Sequence, residues 1–165
     1  MSEQNRRGGR FWRYAPLIAW MTLIFIASTR EFSARNTSLI VRPLLLWLFP
    51  DISEARIDVV HFWVRKSAHF TAYAILALLA VRAFVTSSHE KLRRGFFYFT
   101  FILVVIYSLS DEFHQSFVAS RKGSIYDSLI DIVGGLSALI LYTVWRRKGH
   151  TEVEEIRDKR DSVET

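Results

Sequence analysis

The sequence predicts an all-α fold: a polytopic membrane bundle of four transmembrane helices, with a short interfacial helix in the first outer loop. Three observations lead there. Half of the 165 residues are hydrophobic and 15% are aromatic, and mean hydropathy is positive at +0.15. The charged residues gather between long apolar blocks instead of alternating with them, which is a membrane pattern and not that of a globule with one core. The blocks are also close to the roughly 20 residues a helix needs to cross a hydrocarbon core about 30 Å thick.

In chain order, residues 1–10 form a basic N-terminus, residues 11–145 the transmembrane domain, and residues 146–165 a charged tail expected to be a frayed helix or disordered. The first helix is expected over residues 11–29, with Pro16 near its start, where proline is tolerated. Its basic lead, RRGGRFWR, would suit a signal peptide. STREFSARN, however, is a poor small-residue cleavage site, so a retained helix is expected. LIVRPLLLWLF, residues 39–49, is too short to span and contains Arg42 and Pro43, which suits an interfacial or re-entrant helix. The remaining helices are expected over 67–85, 95–113 and 125–145, the third reaching spanning length only by running into DEFHQ.

Lysine and arginine set the expected orientation. Most of the 22 basic residues fall in the N-terminus, around Arg82 to Arg94, and from Arg146 onward. Basic residues flanking helix ends stay inside, so both termini are expected in the cytoplasm and the protein in the cell (inner) membrane. The net charge of +6 brackets hydrophobic segments and does not form the basic stripe a nucleic-acid surface needs, so the lipid bilayer and not nucleic acid is the expected partner. The chain has no cysteine, which excludes disulfides and thiolate metal sites.

The polar residues inside these blocks are periodic. Lys66, His69 and Tyr73 share one face of the second helix. Tyr107, Ser108, Asp111, His114 and Gln115 share one face of the third, with Glu112 about 100° from Asp111. Asp127, Asp131, Gly134 and Ala138 form a stripe on the fourth; Gly134 and Ala138 are a small-xxx-small pair that admits a close neighbour, and Gly135 joins them as a packing residue. Ionisable groups within membrane spans normally face the bundle interior, pair, and mark function. Lys66 and Arg121 are the candidate cationic partners of the acids. Plainer roles stand beside these: Arg65 snorkelling to the interface, His61 and His89 as solvated loop residues, Tyr73 as an interfacial anchor, Asp127 as a cap for its helix, and the whole cluster as glue between helices.

Motif chemistry narrows the field. DEFHQ is not the HExxH of a zincin, and there is no P-loop, Rossmann fingerprint, CxxC or Gly-x-Ser-x-Gly elbow. No cofactor or metal is assigned from spacing alone, although His69, His114, Asp111 and Glu112 could assemble a divalent-metal site across helices.

KSAHFTAYAILALLA followed by SDEFHQSFVASRKGSIYDSLIDIVGG resembles the VanZ-like family of small membrane proteins. Lys66, His69, Phe70 and Tyr73 match the first half of the family's pattern. Asp111, Glu112, His114, Gln115, Phe117, Arg121, Asp127, Asp131 and Gly135 match the second. VAS before Arg121 replaces a frequent proline–glycine turn, and Asp131 stands where asparagine is frequent. The resemblance implies a cell-envelope role related to teicoplanin resistance. Together with the stripes it gives an expected outward polar pocket lined by Lys66, His69, Tyr73, Asp111, Glu112, His114, Gln115, Arg121, Asp127 and Asp131, binding or acting on a lipid-linked envelope component. A metal-assisted membrane enzyme on lipid phosphate or lipid-linked sugar, and a non-catalytic scaffold, are the alternatives.

Overall fold

The computed structural model describes the backbone of residues 3–28, 34–116 and 125–163, and the side chains of 11–28, 39–114 and 125–149. The helices are α1 (Glu3–Ser28), α2 (Ala34–Leu48), α3 (Glu54–Val85), α4 (Glu90–Arg94), α5 (Phe96–Ser116) and α6 (Ile125–Val163). Four of them, α1, α3, α5 and α6, contain stretches long and apolar enough to cross a membrane, and α2 is a shorter apolar helix.

Three elements are longer than the apolar blocks suggest. α1 begins at Glu3, so Pro16 lies well inside the helix and not near its start; there it removes one backbone donor. α6 continues as helix into the charged tail, to Val163. α3 begins at Glu54, because EARIDVVHFWVRK is helical although its charges interrupt the apolar run. At 1.5 Å per residue its 32 residues are about 48 Å long, well beyond a hydrocarbon core of about 30 Å. The stretch from Lys66 to Val85 alone matches that thickness. About a third of α3 is thus more than such a core requires, and the helix packs against α2. Exposed Trp47, Phe62 and Trp63 in this region suit an interfacial belt. Arg42 of α2 and Glu54 of α3 pair at 2.5 Å.

The central helix is α3, which packs against α6, α5 and α1. Its core positions Tyr73, Leu76, Ala77, Ala80, Ala83 and Phe84 recur at helical spacing and meet Leu17 and Ile24 of α1, Val104 of α5 and Ala138 of α6. The alanines let neighbouring backbones approach, which is how helices associate where lipid supplies no hydrophobic drive. Gly134 takes this furthest: a Cβ there would sit 3.0 Å from the Cα and carbonyl carbon of Phe70, and closer still to the Phe70 oxygen. One at Gly135 would meet Val104 Cγ1 at 2.6 Å.

Cross-helix polar contacts fix directions. Lys66 with Asp127, His69 with Asp131 and Phe70 with Gly134 advance together, so α3 and α6 run parallel. Ser108 with Asp131 and Phe96 with Tyr142 run α5 antiparallel to α6. Trp20 Nε1 donates to the Ala72 carbonyl at 2.9 Å, and the Tyr14 and Ser87 hydroxyls lie 3.1 Å apart, which runs α1 antiparallel to α3. Tyr107 donates to the Met21 carbonyl at 2.5 Å. The start of α1 and the far end of the α6 span thus share one end of the bundle, and the polar stripes lie towards the other. Many large apolar side chains point outward, including Trp145, Leu141, Phe113 and Ile106. A soluble monomer rarely exposes so much; lipid accepts it.

Candidate polar site among three helices

The site lies about a third of the way along α3, where α5 ends and α6 begins. Its outer level is an ion pair. Lys66 Nζ donates to Asp127 Oδ1, and Arg65 Nη2 stands 3.9 Å from Asp127 Oδ2, at the limit of a pair. Lys66 is buried, 8% exposed, with its ammonium 5.2 Å from the centre of the Phe62 ring. Asp127, in the first turn of α6, also complements that helix's positive end. The Lys66 ammonium is thus already engaged by a carboxylate.

One turn deeper the character changes. His69 Nδ1 lies 3.2 Å from Asp131 Oδ1, and Ser108 donates to the Ser128 carbonyl at 3.2 Å and to Asp131 Oδ2 at 3.5 Å. Asp131 is fully buried, and Asp111 and Glu112 are 5% and 8% exposed. Both neighbours on α5 are therefore inside, despite the about 100° between consecutive helical residues. Tyr73 is also fully buried, and its hydroxyl has no hydrogen-bond partner among the described residues. It lies within electrostatic range of Asp111, Asp131, Tyr107 and Glu112. Ligand atoms of His69, Asp111 and Asp131 all fall within 4.8 Å of one another.

The expected residues thus distribute as follows. Lys66, His69, Tyr73, Asp111, Glu112, Asp127 and Asp131 lie at this end of the bundle interior. His114 packs its ring on Phe25 of α1, with centroids 4.6 Å apart, and does not join the His69–Asp111–Asp131 group. Arg121 and the Gln115 side chain lie outside the described residues. Gly134, Gly135 and Ala138 are buried where α6 meets its neighbours. His61 is not a loop residue: it lies within α3, and its Nε2 is buried without a partner among the described residues. His89 is exposed at the N-cap position of α4, where its side chain makes no capping bond.

Two contributors escaped the sequence argument. Ser128 offers its carbonyl to Ser108 and is 2% exposed; its only signal was a hydroxyl beside Asp127. Arg65 reaches Asp127 although snorkelling alone would explain it. Chemically, the arrangement puts an engaged cation at the rim and a carboxylate-rich, histidine-containing interior beneath it.

No curated protein and no solved structure shows a significant match to the chain. The family model described as VanZ/LLP1 matches residues 11–146, which takes in every described residue of the site. This multi-pass membrane protein belongs to the VanZ/LLP1 family.

Proposed function

We propose that the protein sits in the cell (inner) membrane with both termini in the cytoplasm, and that its polar site faces outward to bind the phosphate-bearing headgroup of a lipid-linked envelope component. One observation carries this reading. Charged side chains from α3 and α6 pair at the depth where α3 reaches the hydrocarbon, with buried carboxylates of α5 beside them. Ionisable groups in that position are expensive, and they are held in bundles chiefly where a ligand or ion is handled. Lys66 and Arg65, bracketing Asp127, are the donors a phosphate would share or capture. The orientation rests on the lysine and arginine distribution.

The test is native mass spectrometry of the purified protein with a polyprenyl phosphate and with the matching neutral polyprenol. Wild type should retain the phosphate lipid at least ten-fold better than the alcohol. Lys66→Gln and Asp131→Asn should abolish that preference while eluting as folded protein. Equal retention in wild type and both folded variants would overturn the reading in favour of a scaffold. The family resemblance adds a cellular version. Expression in a teicoplanin-susceptible cell should raise tolerance to the drug, and Lys66→Gln should remove the gain. An unchanged tolerance would detach this chain from the glycopeptide connection.

A further inference from the structure

The interior of the site has the wrong charge for the ligand proposed above. Asp111 and Asp131 are buried with carboxylate oxygens within 4.8 Å of the His69 ring, and Glu112 is buried next to Asp111 on α5, while Lys66 and Arg65 are directed to Asp127. A phosphate entering beneath the ion pair would meet carboxylates. A cation held by those carboxylates would reverse that local field.

We propose that His69, Asp111 and Asp131 form a site for one divalent transition-metal ion, Zn²⁺ or Mn²⁺, whose remaining coordination positions take water or the phosphate oxygens of the lipid ligand. The donors come from three helices, so the packing of α3, α5 and α6 assembles them. Their ligand atoms lie within 4.8 Å of one another, and His69 Nδ1 and Asp131 Oδ1 are already 3.2 Å apart. Bonds of about 2.0–2.2 Å at tetrahedral angles put the ligands of one ion about 3.3–3.6 Å apart, so His69 and Asp131 already stand at ligand spacing and the set closes on an ion by side-chain shifts of at most about 1–1.5 Å. One imidazole with two carboxylates is a mixed nitrogen–oxygen set, which suits Zn²⁺ or Mn²⁺ better than the all-oxygen sites of Ca²⁺. Three protein ligands leave a position open, as in sites that act on a bound molecule.

An independent feature points to the same occupant. The Tyr73 hydroxyl is fully buried, has no hydrogen-bond partner among the described residues, and lies in electrostatic range of both Asp111 and Asp131. A buried hydroxyl ordinarily has a partner. A metal-bound water or phosphate oxygen would supply one, and neither is a protein atom. Two carboxylates and a dication also leave the ligand set itself neutral, which low-dielectric surroundings favour.

This inference deepens the proposed function, and its test uses metal alone so that the two can fail separately. Protein purified in detergent is stripped with a chelator, dialysed, and titrated with Zn²⁺ and, by electron paramagnetic resonance, with Mn²⁺, no lipid ligand being added. Wild type should take up one ion per chain. His69→Gln, Asp111→Asn and Asp131→Asn should each weaken uptake at least ten-fold, and His89→Gln, on the exposed connection, should not change it. His69→Cys loaded with Co²⁺ should show a thiolate-to-cobalt charge-transfer band, which a merely structural histidine would not produce. No stoichiometric uptake by wild type, or uptake lost equally in His89→Gln, would overturn the site, whatever the folding of the other variants. Phosphate-lipid binding that survives in metal-free protein would leave the headgroup reading standing without the ion.

Discussion

Gly134→Ala adds one methyl group at the tightest point of the bundle. The new Cβ would lie 3.0 Å from the Phe70 Cα and carbonyl carbon, whereas carbon atoms rest about 3.5–4.0 Å apart. These are backbone atoms of a packed helix, so no rotamer change relieves the clash. α3 and α6 must part by about 0.5–1 Å at this level, and overpacking of this kind costs about 1–3 kcal/mol. Alanine's better helix propensity offsets about 0.8–1.0 kcal/mol, which leaves a net loss of up to about 2 kcal/mol. Gly149→Ala is the internal control, because nothing lies within 4 Å of a Cβ there; it keeps the propensity gain alone. Equilibrium unfolding of both variants in mixed micelles separates the two terms. The structure predicts Gly134→Ala below wild type and Gly149→Ala at or above it. A Gly134→Ala protein as stable as Gly149→Ala would refute the close α3–α6 crossing, and with it the approach that brings His69 to Asp131.

Further consequences can be measured on the same preparation. Lys66→Met should destabilise by about 1–3 kcal/mol by leaving Asp127 partly buried without its main cation, and Lys66→Met with Asp127→Leu should recover most of that; additive losses would mean the two do not interact. Tyr107→Phe should cost about 0.6 kcal/mol and at most about 1.7 by removing the bond to the Met21 carbonyl, and an unchanged unfolding midpoint would count against that bond. For topology, Ser53 precedes α3 at the end nearer the site, and Ser88 follows it at the opposite end. An impermeant thiol reagent applied to intact cells should modify Ser53→Cys and spare Ser88→Cys. The reverse pattern would turn the site towards the cytoplasm.

The apolar blocks revealed the membrane-spanning architecture because lipid demands length and apolarity together, and α1, α5 and α6 satisfy both in the primary structure. The start of α3 did not stand out. EARIDVVHFWVRK carries charges that end an apolar run, yet a helix that leaves the hydrocarbon tolerates them on its exposed sides. The polar stripes were legible helix by helix from spacing alone. Which residue of one stripe meets which of another was not, because that phase is set where Gly134 admits the Phe70 backbone, a contact far apart in sequence. His114 illustrates the limit. Three residues from Asp111, it shares a face only within about 60°, and that angle is enough to carry it to Phe25 of α1.

The central claim, that the polar site of this bundle receives a lipid phosphate, is tested most directly by photolabelling. A polyprenyl phosphate bearing a diazirine next to its headgroup is illuminated with the protein in nanodiscs, and the modified residues are mapped by mass spectrometry. The account predicts labels within 62–73, 107–114 and 125–135, suppressed by excess unlabelled phosphate lipid and not by the alcohol. Labels confined to outward residues such as Phe113, Leu141 and Trp145, indifferent to competitor, would contradict it.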